Sequence, residues 1–79
     1  SMASAMEQMN LSEVVSVNIN TASADELASA LKGVGEKKAA EIVAFREANG
    51  AFAAPVEITE VKGIGDSTFE KNKSLIRVN

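Results

Sequence analysis

Seventy-nine residues, 46% of them apolar and 24% charged, suffice for one small folded domain with short appendages and are too few for two. The absence of both cysteine and histidine excludes disulfides, thiol nucleophiles, the commonest zinc ligands and imidazole acid-base chemistry. Eight Lys and Arg against eleven Asp and Glu give a formal net charge of −3, so no broad basic surface exists and any polyanion has to be held locally.

Along the chain, Ser1-Met2 reads as a cloning remnant, and residues 1–16 as a poorly ordered N-terminal segment in which Met6, Met9, Leu11, Val14 and Val15 carry little periodic signal. The folded domain is expected over 17–79. Val17-Asn18-Ile19-Asn20 alternates apolar and polar residues. Ser23 then caps a helix over about 24–31, with Glu26 three residues on reaching back as in a capping box. Lys32-Gly33-Val34-Gly35 breaks it, both glycines tolerating positive φ and leaving the backbone without side-chain cover. Residues 36–48 form the strongest helix, with Ala39, Ile42, Val43 and Phe45 for the core and Lys37, Lys38, Glu41 and Glu47 for water; Lys37 and Glu41 stand at ion-pair spacing. Asn49-Gly50 ends it. Pro55 opens a short helix through Ile58 to Val61, and Asp66 to about Arg77 reads as a last helix with Phe69, Lys73 and Ile76 at helical spacing.

Sliding the chain thirty positions against itself lays Leu31-Lys32-Gly33-Val34-Gly35-Glu36 over Val61-Lys62-Gly63-Ile64-Gly65-Asp66. The fold class is therefore all-α: two helix-hairpin-helix units packed as one small pseudo-symmetric domain. One unit alone has a single apolar stripe with nothing to cover it; two related units bury their stripes on each other.

A Gly-x-Gly turn that opens a helix exposes unpaired backbone N–H groups at the positive end of a helix dipole, which makes an anion cradle. A β-carbon there would hold a phosphate oxygen away from the amides. Val34 and Ile64, between the glycines, point to the core and pin the turns, while Lys32, Lys37, Lys38 and Lys62 bring four cations to two cradles. A glycine after a helix is also an ordinary C-terminal cap and surface lysines are usually solvated; two copies in register put the cradle on an even footing with that reading. Two phosphate sites on one body suit a polymer with regularly spaced phosphates better than a single nucleotide. Phe45, Phe52 and Phe69 are assigned to the core and no carboxylate constellation is catalytic, so no enzyme activity is expected.

The segments LKGVGEKKAAEIVAFR and VKGIGDSTFEKNKSLI, with VNINTASADEL before them and REANGAF between, resemble the tandem helix-hairpin-helix domain of ComEA-type competence DNA receptors over residues 17–78. The resemblance implies sequence-independent binding of double-stranded DNA, the hairpins touching phosphates of both strands across the minor groove. It assigns the contacts to Gly33, Val34 and Gly35 and to Gly63, Ile64 and Gly65, with charge from Lys32, Lys37, Lys38 and Lys62 and hydroxyl donors from Ser67 and Thr68. It also implies a periplasmic mature protein, formed by removal of a signal peptide, that passes DNA to a membrane translocation machinery and self-associates on DNA. No cofactor is expected, although some helix-hairpin-helix proteins hold a monovalent cation on hairpin carbonyls. Glu36 and Asp66 where the family often has Pro, and Ala53-Ala54 where it is usually polar or basic, imply weak binding through few contacts. Two other readings are a protein-interaction module that dimerises, which light scattering separates from the leading reading, and an accessory domain of a DNA repair protein; glycine-to-valine changes at 33 and 63 are expected to remove DNA binding and spare helicity if the hairpins are the site.

Overall fold

The computed structural model describes residues 15–79; most of the segment expected to be poorly ordered, 1–14, lies outside the described residues. Two-residue strands at the two ends, β1 (Val17–Asn18) and β2 (Ile76–Arg77), pair in parallel, Val17 facing Ile76 and Asn18 facing Arg77. Between them run α1 (Ala24–Ala30), α2 (Glu36–Asn49), a 3-10 helix (Pro55–Glu60), α3 (Asp66–Asn72) and a single 3-10 turn (Lys73–Leu75). Apart from the strand pair the domain is helical, as the repeat requires.

α1 begins with the expected capping box. The Ser23 hydroxyl accepts the Glu26 N–H at 3.1 Å and the Glu26 carboxylate accepts the Ser23 N–H at 2.8 Å. α2 runs one residue beyond expectation before Gly50, at φ +90°, ends it. Only Ala39 and Ile42 of its apolar set are fully buried, while Val43 and Phe45 are half-buried, Phe45 stacking on buried Phe52 at 5.4 Å. The segment opened by Pro55 winds as a 3-10 helix rather than an α-helix, long enough to bury Ile58.

One expected helix is shorter than its spacing implied. α3 stops at Asn72 instead of continuing to Arg77, so Lys73 sits on the exposed 3-10 turn, in an ion pair with Glu70, and Ile76 is buried from a strand. The physical reason lies at the far end of the chain: β1 offers backbone partners, continued by the Ile19 N–H donating to the Arg77 carbonyl at 3.0 Å, and a helix through Arg77 would leave them unmet. The core takes Leu31 and Val34 from one hairpin, Val61 and Ile64 from the other, and packs them with Ile19, Leu27, Ile42, Phe52, Ile58 and Ile76. Each hairpin thus faces outward from a turn nailed down by two buried apolar residues.

Candidate functional site

The two hairpins are copies in structure as well as sequence. Residues 31–40 and 61–70 pass through the same succession of bend, turn and helix, and 31–38 and 61–68 share one burial pattern: first and fourth residues buried, the two between them exposed. Val34 and Ile64 are 3% and 4% exposed, so at these two assigned positions the side chains are withheld from a ligand.

The paired glycines do different jobs. Gly33 and Gly63 have φ +73° and +90°, where other residues are strained, whereas Gly35 and Gly65 are extended at φ −82° and −113°, a backbone any residue adopts. Positive φ is therefore a property of the first glycine of each pair alone. A β-carbon on Gly35 or Gly65 would meet nothing of the protein within 4 Å. Since neither conformation nor packing calls for glycine at these two positions, what their bare Cα leaves open is the approach from outside.

That approach leads to open amides. Gly35 and Gly65 are the N-caps of α2 and α3 and supply no side-chain cap, in contrast to the closed box at α1. The first helical bonds come from Ala39 N–H to the Gly35 carbonyl at 2.9 Å and from Phe69 N–H to the Gly65 carbonyl at 3.0 Å. Among the described residues nothing accepts from the N–H groups of residues 35–38 or 65–68, which point outward at the positive ends of two helices.

Residues 12–77 match the family model described as the helix-hairpin-helix motif. The chain belongs to the helix-hairpin-helix family. It is 53% identical over 62 residues to ComE operon protein 1 of Bacillus subtilis (strain 168), an alignment covering 78% of this chain and 30% of that protein. It is 48% identical over 60 residues to an uncharacterized protein of Haemophilus influenzae, covering 76% of this chain and 54% of that one. With the transcriptional accessory protein Tex of Neisseria gonorrhoeae it shares 40% identity over 65 residues, only 8% of the longer protein. The chain spans between 8% and 54% of the length of these relatives.

Within this helix-hairpin-helix domain the lysines are unevenly shared. Lys37, Lys38 and Glu41 of α2 line a shallow cleft of about 230 Å³ together with Lys62 and Gly63, so the helix that follows the first hairpin furnishes cations to the second. The stem of Lys38 lies across it: a β-carbon on Gly63 would sit 3.5 Å from Lys38 Cγ. Ser67 and Thr68 occupy the places of Lys37 and Lys38 in the second copy, Ser67 exposed and Thr68 half-buried, and neither lines this cleft. Lys32 is exposed on the first hairpin. Lys37 and Glu41, at a spacing that allows an ion pair, do not form one: among the described residues the single salt bridge joins Lys73 to Glu70, and no carboxylate lies within 4.0 Å of Lys32, Lys37, Lys38 or Lys62. The acidic residues in the first turns of α2 and α3 are Glu36 and Asp66. No three carboxylates gather into a metal-ion site among the described residues.

Two asparagines were missed in the sequence. Asn72, 1% exposed, holds the backbone of Lys32 from both sides, its Oδ1 accepting the Lys32 N–H at 2.7 Å and its Nδ2 donating to the Lys32 carbonyl at 2.8 Å. Asn20 does the same for Phe52 at 2.7 and 3.0 Å, and donates to the Val78 carbonyl at 2.9 Å. A signal existed for the first: at the thirty-residue offset Asn72 stands opposite Ile42, a polar residue in a core position.

Proposed function

We propose that this domain binds double-stranded DNA without sequence preference, using the backbone amides of its two hairpins and the surrounding lysines to grip phosphates, and that it retains DNA during uptake rather than transforming it chemically. The observation that carries this reading is the repetition of an uncapped, glycine-opened helix start where the other α-helix among the described residues begins with a closed capping box. Membership of the helix-hairpin-helix family and the likeness to ComE operon protein 1 support it. Gly33 and Gly63 turn the chain at positive φ, Gly35 and Gly65 admit the sugar-phosphate backbone, residues 35–38 and 65–68 supply amides, and Lys37, Lys38 and Lys62 add charge around the second hairpin. Lys32 adds charge at the first, and Ser67 and Thr68 add hydroxyls.

Contacts of this kind read no base edges. With three to five phosphates neutralised, the slope of log affinity against log salt is about −3 to −5. The carboxylates of Glu36 and Asp66 repel the ligand at the cradle rims, which keeps binding weak and lets a chain of DNA pass along. We further assign the protein to the periplasmic stage of uptake, upstream of a membrane translocation machinery, with neighbouring copies associating on one duplex.

Titration of several unrelated short duplexes over a range of salt concentrations tests the reading. Equal affinities and a shallow slope are expected; a strong preference for one sequence, or the absence of any complex, overturns it. Light scattering addresses the rival in which the domain serves protein association: a concentration-dependent dimer that ignores DNA would favour that rival.

A further inference from the structure

We propose that Asn72 is a positioning residue which hooks the first hairpin onto the helix opened by the second, so that the two hairpins present their amides to one duplex at a fixed separation. The proposal rests on the reading of both hairpins as phosphate cradles. Its starting point is a difference between otherwise matching copies. In the second hairpin the turn closes on itself, Ile64 N–H donating to the Val61 carbonyl at 3.0 Å; among the described residues Val34 N–H makes no such bond to Leu31. The first hairpin is closed from outside instead. Asn72 pairs with both the N–H and the carbonyl of Lys32, as a neighbouring strand would, and spends its remaining N–H on the Thr68 carbonyl at 2.9 Å, one turn back on α3.

Every hydrogen-bonding site of this amide except one carbonyl lone pair is thereby used, in a place where water does not reach. Packing alone would be served by an apolar side chain, as Ile42 shows at the matching position of the first copy. Asn72 is the last residue of α3, where an asparagine amide is free to bond backbone groups beyond its own helix. Here that amide is directed across the molecule to residue 32, immediately before the glycine with φ +73°. The link is reciprocal. α2, which follows the first hairpin, lays the Lys38 stem over Gly63, and α3, which follows the second, holds Lys32 through Asn72. Two cradles tied in this way act as one gauge for phosphate spacing, and release of the Asn72 tie leaves the second hairpin intact while the first loses its orientation.

The test compares the unaltered protein with Asn72→Ile, which copies the side chain of the first repeat. Both are assayed well below their melting temperatures by fluorescence anisotropy on a generic short duplex over a salt series. The expected variant is helical by circular dichroism, binds about tenfold more weakly and has a salt slope reduced to about half, because one hairpin's phosphates are no longer engaged. A folded variant with unchanged affinity and slope overturns the proposal, even if its melting temperature has dropped, since a purely structural role would lower stability and leave the slope alone. If the unaltered protein forms no complex, the underlying reading falls and this proposal with it. If Asn72→Ile does not fold, hydrogen exchange on the unaltered protein decides: the Lys32 amide must exchange at least about tenfold more slowly than the Lys62 amide, and equal rates overturn the tie.

Discussion

Substituting the two glycines of the first hairpin one at a time separates conformation from contact. Gly33 sits at φ +73°, and an alanine there is forced into the left-handed region at a cost of about 1–2 kcal/mol. For a domain of this size that lowers the melting temperature by about 5–15 °C. Gly35 is extended at φ −82°, ψ −172°, with open space around its missing β-carbon. An alanine there loses up to about 1 kcal/mol as a poorer N-cap and regains about 0.4–1 kcal/mol by restricting the unfolded chain, for a net change within about 0.5 kcal/mol. Its methyl group nevertheless stands in front of the amides that open α2. Losing one or two charge-assisted hydrogen bonds to a phosphate costs about 2–3 kcal/mol, a weakening of about 30- to 150-fold. Thermal melts by circular dichroism and anisotropy titrations on one duplex measure both quantities. Gly35→Ala should melt like the unaltered protein and bind poorly; Gly33→Ala should melt early. If Gly35→Ala binds normally the cradle is not the site, and if it melts as early as Gly33→Ala the division of labour between the glycines is wrong. By the same geometry valine at 33 or 63 is a folding defect, so the glycine-to-valine pair suggested by sequence cannot isolate binding.

Three further outcomes follow from the charges and the core. Lys38→Ala, Lys37→Ala and Lys62→Ala should each weaken binding to all duplexes alike and reduce the salt slope by about 1 where the ammonium meets a phosphate, with Lys38 the most sensitive because its stem is held against Gly63; sequence-dependent losses would contradict backbone recognition. The Ser23 N–H bound to the Glu26 carboxylate, helped by the Ser23 hydroxyl, holds that carboxyl below the usual glutamate value of 4.5. Its stabilising contribution is complete above the unfolded-state value and fades as pH falls through the lower folded-state value, so melting temperatures measured from pH 6 downward should fall in acid more steeply for the unaltered protein than for Glu26→Gln. Ile42→Ala should cost about 2–5 kcal/mol in urea denaturation, because Ile42 is 0% exposed between the two units; a loss below about 1 kcal/mol would mean the units do not share a core there.

What could be read in the chain was local. The Ser23–Glu26 box, the start of α2 after Gly35 and the two hairpins all advertise themselves within a few residues, and the thirty-residue offset multiplies a weak glycine signal into a strong one. The burial of Val34 and Ile64 follows from the same offset, since only an inward side chain explains a branched apolar residue kept between two glycines. What escaped is set by distant partners. The alternation at Val17–Asn20 names no partner, and the pairing of Val17 with Ile76 depends on chain segments 59 positions apart, which is why α3 read as longer than it is. Asn72 and Asn20 escaped for the same reason: an asparagine advertises a turn or a cap, and nothing beside it in the chain names residue 32 or 52 as its hydrogen-bond partner. The gathering of Lys37 and Lys38 around Gly63 was likewise invisible, because each lysine was read with its own hairpin.

β1 and β2 run side by side in the same direction, one near each end of the folded segment. A tensile load applied through those two ends, such as a threaded polymer under traction would impose on whatever holds it, draws β1 backward and β2 forward along their shared axis. The ladder, the Ile19–Arg77 bond and the Asn20–Val78 bond are then strained in shear together, where an antiparallel hairpin pulled from its open end would part rung by rung. So small a clasp adds little at equilibrium, and its value lies in the rate at which a pulled domain comes apart.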